Sequence, residues 1–247
     1  MVRIAALSDI HGNLQALSAV RKAIDAARPD YVAICGDLVF NGADPAGTLA
    51  LVQELQRAGA FVTLGNTDLA VADGDIAAAF PWFSDGAPES YLAAAEWARD
   101  QIGDEGLAYL RSLPSERRLR VGDDLVLFCH ASPGSLTDSL SPDLDPVVTI
   151  ERVSGTDAKV IVCGHTHMPE VREVGWRTIV NDGSAGYVFD GDPTASWALI
   201  EIDENGVKAE IHRTNYDVLA ASDAVSARGL PGDVYRAATI RTGKLVR

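Results

Sequence analysis

Three cysteines in 247 residues, an odd and small number, exclude a disulfide framework. No apolar run approaches the ~18 residues of a membrane helix. The opening stretch to Leu7 is too short for a signal-peptide core and leads straight into Ser8-Asp9. A cytoplasmic protein with no membrane partner is therefore expected. Basic residues are scarce: Lys and Arg number 21 against 35 Asp and Glu, for a net charge of −14. That deficit argues against extended nucleic-acid binding, which relies on basic patches. It leaves a small phosphate-ester substrate open, because bound divalent cations would reverse the local field. The dense basic stretch, Arg117, Arg118 and Arg120, reads as a solvated strand edge before an anion site. Internal repeats and low-complexity linkers are also lacking. With 47% hydrophobic and 23% charged residues, the composition is that of a globular protein, read as one domain over 1–247.

What is present is concentrated. Four of the five histidines sit in short motifs that follow apolar runs. Asp9 and His11 follow Arg3 to Leu7, Asp37 follows Tyr31 to Cys35, and Asn66 follows Phe61 to Leu64. His130 follows Leu125 to Phe128, and His165 and His167 follow Val160 to Val162. Such runs ending in glycine or a polar residue read as buried strands meeting their loops. Ligands of open α/β sheets bind at the carboxyl ends of strands, so five strand ends would bring O and N donors to one rim. Alone, Asp9 or Asp37 would be a helix cap, Asn66 a turn former, and each histidine a hydrogen-bonded core residue. Jointly they point to metal. Cys35, Cys129 and Cys163 end the same strands. A three-thiolate zinc site is conceivable there, but small buried thiols are the simpler reading.

The ordered set Asp9-x-His11, Gly36-Asp37, Gly65-Asn66, His130 and Gly164-His165-Thr166-His167 resembles the calcineurin-like metallophosphoesterase superfamily, over about Ile4 to Gly186. Within it the chain looks like the small bacterial phosphodiesterase-type members. The resemblance implies an α/β fold, a two-sheet β-sandwich flanked by helices. It also implies two divalent metal ions, with Asp37 bridging, Asp9, His11 and His167 completing one site, and Asn66, His130 and His165 the other. Two-metal sites hold their ions about 3.5–4 Å apart, and mixed N/O donors without thiolate suit Mn²⁺ first, with Fe²⁺ or Zn²⁺ as alternatives. The implied reaction is attack on phosphorus by a metal-bridging hydroxide.

Along the chain, Leu14, Leu17, Val20 and Ile24 predict a helix over 13–27, whose amide terminus is a natural anion site. Asn13 there is either a substrate phosphate contact or the helix cap. Asp44-Pro45 predicts a second helix to about Ala58. Residues 69–113 read as a helical cap broken at 80–86. Phe80, Trp82 and Phe83 would pack that cap onto the sheet, in preference to stacking on a leaving group. From Leu119 the pattern is mostly β. The strands after the His165 motif are expected to form the second sheet as an antiparallel series, and Tyr216 to Arg228 a closing helix.

Two positions depart from the family. Many members carry histidine after the motif asparagine, where it protonates the leaving group, whereas this chain reads Gly65-Asn66-Thr67-Asp68. Thr67 cannot supply a proton near pKa 7, a loss of about 10²–10⁴-fold, and Asp68 beside metals would be ionised. Asp182, in Asn181-Asp182-Gly183-Ser184 where relatives often have proline, reads as a turn substitution with little catalytic effect. The expected activity is metal-dependent hydrolysis of phosphodiesters or activated phosphate esters. The alternatives are a phosphomonoesterase, a dinucleoside-polyphosphate hydrolase, or a catalytically weak metal-binding scaffold.

Overall fold

The structure, a computed structural model, describes residues 1–83 and 86–247. Its elements in chain order begin with β1 (Val2–Leu7), α1 (Leu14–Ala27), β2 (Tyr31–Cys35), α2 (Pro45–Arg57) and β3 (Phe61–Thr63). Next come α3 (Asn66–Asp73), α4 (Ile76–Ala79), α5 (Glu89–Ser112), β4 (Glu116–Val121), β5 (Asp124–Cys129) and α6 (Pro146–Val153). The chain closes with β6 (Val160–Cys163), β7 (Glu170–Val174), β8 (Arg177–Asn181), β9 (Ala195–Asp203), β10 (Gly206–Thr214), α7 (Val218–Ser226) and α8 (Asp233–Thr242).

Two five-stranded mixed sheets form, ordered β10-β9-β1-β2-β3 and β4-β5-β6-β8-β7. The two-residue period of a strand sends alternate side chains to opposite faces, and here both faces are covered. Ile4 and Ala6 of β1 join Ala33, Phe128, Val162, Val180 and Ile200 between the sheets. Ala5 and Leu7 turn outward and pack with Leu17, Val20 and Val52 of α1 and α2. On the far side, Leu127, Ile161 and Ile179 pack with Leu140 and Val153. The result is the expected sandwich flanked by helices. Its parallel pairs, β1 with β2, β2 with β3, β5 with β6 and β6 with β8, carry their carboxyl ends to one rim.

The last strands pair differently from the expectation. β9 pairs antiparallel with β1, and β10 with β9, so both complete the first sheet. Strand β1 has a free edge opposite β2, and β9, with Ala195 to Ile200 buried on both faces, fits there. The second sheet is mixed for the same reason: β8 returns parallel to β6, and only β7 is hairpin-paired to it.

Helix α1 starts one residue later than expected, with Asn13 as its cap, accepting from Ala16 N–H. The cap segment starts earlier, at Asn66 itself, because Asp68 accepts Gly65 N–H and caps the first turn of α3. Within the break expected at 80–86, Ser84 and Asp85 lie outside the described residues. Phe80 and Phe83 pack the cap as expected, but Trp82 remains 55% exposed. Two helices, α6 and α8, were not anticipated. Asp145-Pro146 repeats the signature of Asp44-Pro45 and marks the first. Helix α8 begins after a left-handed Gly232 without a side-chain cap, which leaves only a weak signal. It packs on α7 through Ala221, Val225, Ala237 and Ile240. Asp233, buried between Arg228 and Arg236, ties the pair together.

Candidate metal centre

All seven predicted residues converge at the shared rim of the two sheets, in loops after β1, β2, β5 and β6 and in the first turn of α3. Close backbone approach brings them together. Asp9 N–H donates to Gly36 O and His11 N–H to Asp37 O, while Gly164 N–H donates to His130 O. The two sheets are linked where His165 N–H donates to Asp9 Oδ2 at 2.8 Å. Glycine is required at two of these contacts. A Cβ on Gly65 would lie 2.1 Å from Asp37 Oδ1, and one on Gly164 1.9 Å from Ser8 Oγ.

The backbone is strained in the same place. Asp9, His11, Asp37, His165 and His167 have φ between 50° and 66°, and among the described residues only Arg28 and Asn41 are the other non-glycines at positive φ. Such conformations cost about 1–3 kcal/mol each and cluster where function over-determines them.

The side chains form two groups that share Asp37. In the first, Asp9, His11, Asp37 and His167 each offer one donor atom, all within 4.8 Å of one another and buried. Asp9 Oδ1 lies 3.2 Å from His167 Nε2 and has no hydrogen-bond partner. In the second, Asn66 Oδ1 lies 2.8 Å from His130 Nε2 and 3.1 Å from His165 Nδ1. The Asp37 carboxylate spans both: Oδ2 is 3.5 Å from His11 Nε2, and Oδ1 is 3.5 Å from His130 Nε2.

Outer partners aim these donors. His130 Nδ1–H donates to Cys35 O at 2.8 Å and His167 Nδ1–H to Tyr187 O, so each ring presents Nε2 to the centre. The Phe189 ring stacks on His167 at 4.1 Å between centroids, 10° from parallel. Asn66 Nδ2 donates to Ala79 O, which leaves Oδ1 facing inward. His130 thus turns its Nε2 lone pair toward Asn66 Oδ1, while His165 Nδ1, whose tautomer no carbonyl fixes, faces both of them. Burial alone would depress the His130 imidazolium, but Asp37 and Asp9 outweigh it and raise its pKa. His165 falls to about 4 through burial and the neighbouring His130. Burial would raise Asp9, yet His167 and His11 hold it well below the ordinary carboxylate range.

A family model of the calcineurin-like phosphoesterase superfamily domain matches residues 2–205. The chain belongs to that superfamily. It is accordingly placed among metal-dependent phosphoesterases, with the Asp and His cluster as its candidate metal centre. A metallophosphoesterase of Sphaerobacter thermophilus is 29% identical, with a TM-score of 0.75, over 98% of this chain and 99% of its own. A hypothetical protein of Pyrococcus horikoshii, 22% identical over 98% of this chain and 99% of its own, shares the fold at a TM-score of 0.84. An uncharacterised protein of Methanocaldococcus jannaschii is 29% identical over 92% of this chain and 93% of its own length.

Against that family, Thr67 stands where the sequence placed it. Its N–H donates to Asp37 Oδ1 at 2.9 Å, and its buried hydroxyl, without a partner, belongs to a residue lining the cavity beside the centre. Asp68 is not at that cavity. Both its oxygens accept main-chain N–H groups, from Leu38 and Gly65, and burial with the nearby Asp37 pushes its pKa up to about 7. Asn13 is also elsewhere. Its oxygen caps α1 and its amide donates to Gly186 O, which is the cap role of the two read from the sequence.

Asp182 is more than a turn residue. Ser8 Oγ lies 2.5 Å from Asp182 Oδ1 and 2.5 Å from Asp9 Oδ2. One hydroxyl has one proton to give, so one of these carboxyls must carry its own. Burial holds Asp182 well above the ordinary range, opposed by its bond to Ser8, and Asp9 is held low. The consistent arrangement is Asp182 donating to Ser8 and Ser8 to Asp9. Sequence reasoning missed Ser8, Tyr187 and Phe189 as supports. Ser8 adjoins Asp9, but nothing local marks the other two, which reach the centre only through folding.

Proposed function

We propose that this chain hydrolyses phosphodiester or activated phosphate ester bonds at a dinuclear metal centre held by Asp9, His11, Asp37, Asn66, His130, His165 and His167. The carrying observation is the Asp37 carboxylate, with one oxygen toward each group of donors. The donors fit cations: Asp9 Oδ1 is buried and unpartnered, and main-chain carbonyls hold His130 and His167 in the tautomers that free Nε2. Mixed N/O donors favour Mn²⁺, with Fe²⁺ or Zn²⁺ as alternatives. Bound divalent cations would bring the pKa of water toward neutrality and offset charge on the phosphoryl oxygens.

The chain's own residues do the rest. Asn66 is oriented by Ala79 O, and His130 and His167 by Cys35 O and Tyr187 O, so these three donors need little reorganisation when the centre fills. Thr67 brings a hydroxyl in place of an imidazole and can hydrogen-bond but not protonate a departing alkoxide near neutral pH. Esters whose leaving group is stable as an anion are therefore favoured, which supports diesters and activated esters over protein phosphomonoesters. The reading covers 1–247 as one domain, since α7 and α8 pack on Tyr187 beside the centre. Three unpaired buried thiols suit a reducing compartment, and the cytoplasm is the proposed location. Among the described residues no helix is long and apolar enough to cross a membrane.

The direct test is metal reconstitution of chelated protein, followed by assay on generic phosphomonoesters and phosphodiesters. Hydrolysis restored by Mn²⁺ and stronger on diesters is expected, and no hydrolysis of any ester with the centre loaded would overturn the reading. Bound metal should also stabilise the fold, because cations bind only the converged donors. Metal at a hundred times its dissociation constant adds about 2.7 kcal/mol by mass action. A melting temperature unmoved by chelation, with metal loss verified by elemental analysis, would contradict this.

The Ser8 bridge makes a finer expectation. Asp182→Asn retains an N–H that can donate to Ser8 and should keep metal affinity, whereas Asp182→Ala removes the donor and should weaken it by about 10–100-fold. Calorimetric titration with Mn²⁺ checks both, and equal affinities in the two variants would remove Asp182 from the support of Asp9.

A further inference from the structure

Beside the centre lies a cavity of about 530 Å³, and half of the chain's Phe, Tyr and Trp residues line it. Aromatics make up only 6% of the sequence, so their gathering at one place is not a consequence of abundance. One wall comes from the cap, where Phe80 meets Trp82 and Tyr91 edge-to-face at 5.5 and 4.9 Å between centroids. Another comes from the C-terminal part, through Tyr235 of α8 together with Leu245 and Val246. The floor is the metal centre itself, with Asp37, Asn66, His165 and the unpartnered hydroxyl of Thr67.

The rings divide into two kinds. Phe40 and Phe80 are buried and hold the cap onto α1 and α2 through the main core. Trp82 and Tyr235 are 55% and 49% exposed. Core packing therefore does not account for these two rings, which come from segments about 150 residues apart in sequence. Two arginines also line the cavity, Arg236, which is held by Asn41 Oδ1, Pro231 O and Asp233, and Arg247 at the last position of the sequence.

We propose that this cavity receives a planar aromatic ring on the leaving group, so that the substrate is a phosphate ester of a ring-bearing alcohol. This rests on the phosphoesterase reading above and narrows it. A nucleoside and a simple aryl group share that chemistry. In the reaction, a bond from a water-derived oxygen to phosphorus forms as the phosphorus–oxygen bond to the ring-bearing group breaks. The leaving oxygen departs with the electron pair and takes its proton from solvent, which also receives the proton lost by water. A ring bound between Trp82 and Tyr235 positions that bond over the centre; an aryl oxygen then leaves as a stable anion without an acid at Thr67, whereas a nucleoside alkoxide depends on the proton from solvent.

The test is equilibrium binding to the metal-loaded full chain and to the chelated chain. The probes are adenosine 5′-monophosphate, phenyl phosphate and methyl phosphate, which carry the same phosphate with a base, an aryl ring and no ring. Both ring-bearing probes should bind the loaded chain at least about tenfold more tightly than methyl phosphate, since one stacked ring contributes on that order. Trp82→Ala and Tyr235→Ala, at half-exposed positions that the core does not need, should each lose about five- to tenfold for the ring-bearing probes. Their affinity for methyl phosphate should stay within about twofold. A preference for adenosine monophosphate over phenyl phosphate assigns the ring to a nucleoside, and equal binding assigns it to any aryl group. Equal affinity of all three probes, or loss of methyl phosphate binding in step with the others, would overturn the proposal. Ring-selective binding by a loaded chain that hydrolyses no ester would instead overturn the phosphoesterase reading and leave the ring site standing.

Discussion

Asp37→Asn is expected to lower hydrolysis to background, a loss greater than about 10²-fold, in a protein that still folds. The substitution is nearly isosteric, so packing is preserved, but it removes the charge on the carboxylate that faces both groups of donors. One oxygen of Asp37 lies 3.5 Å from His11 and the other 3.5 Å from His130. An amide also presents an N–H toward one of them, in place of a lone pair. A single preorganised electrostatic contact is commonly worth about 10²–10³ in turnover, and in the proposed dinuclear centre one residue would serve two cations. Turnover on bis(p-nitrophenyl) phosphate, with folding checked by circular dichroism and bound metal by elemental analysis, measures the effect. Activity near that of the parent chain would sink the shared-carboxylate reading.

Thr67→His should change which esters are cleaved more than how fast the best one is. The parent chain has no imidazole here, so its rate should depend steeply on leaving-group pKa, with p-nitrophenyl esters far ahead of alkyl ones. Residue 67 lines the cavity with Asp37 and His165, and its hydroxyl is unpartnered, so an imidazole there would enter the cavity. It should flatten the dependence and raise turnover of poor leaving groups by up to roughly 10²-fold. The gain has a structural limit, because the new ring must share the cavity floor with Asp37 and His165. A series of aryl and alkyl diesters measured on both proteins gives the two slopes. Equal parent rates on good and poor leaving groups would show that another residue supplies the proton, and the preference for activated esters would lose its main support.

Much of the centre was legible in the sequence because its chemistry is local. Each candidate ligand sits at the end of an apolar run, and a buried strand leaves its first polar residue at the sheet's rim. The glycines of Gly65-Asn66 and Gly164-His165 were part of the motif, and the folded chain shows why: no Cβ fits between those loops and the side chains of Asp37 and Ser8. Helices α1 and α2 were equally readable, since Asn13 and Asp44 cap them and apolar residues recur on one face. Where local signals were thin, the reading stopped short. Helix α8 begins on Gly232 without a side-chain cap, and nothing at Val188-Phe189 announces that a ring will stack on His167.

The sequence by itself determined the candidate donor set, the order of the strand ends that carry it, and the missing imidazole at Thr67. These depend on residue type and on periods of two and 3.6, which no distant contact can alter. Tertiary structure alone decided which sheet β9 and β10 complete, because a strand's hydrophobic pattern shows that an edge must be covered but not which edge. It alone made Asp182 a buried partner of Ser8 instead of a turn residue, since burial depends on what packs above the loop. It also gathered Trp82 and Tyr235, far apart in the chain, around one cavity. Side chains that meet only through folding leave no spacing to read.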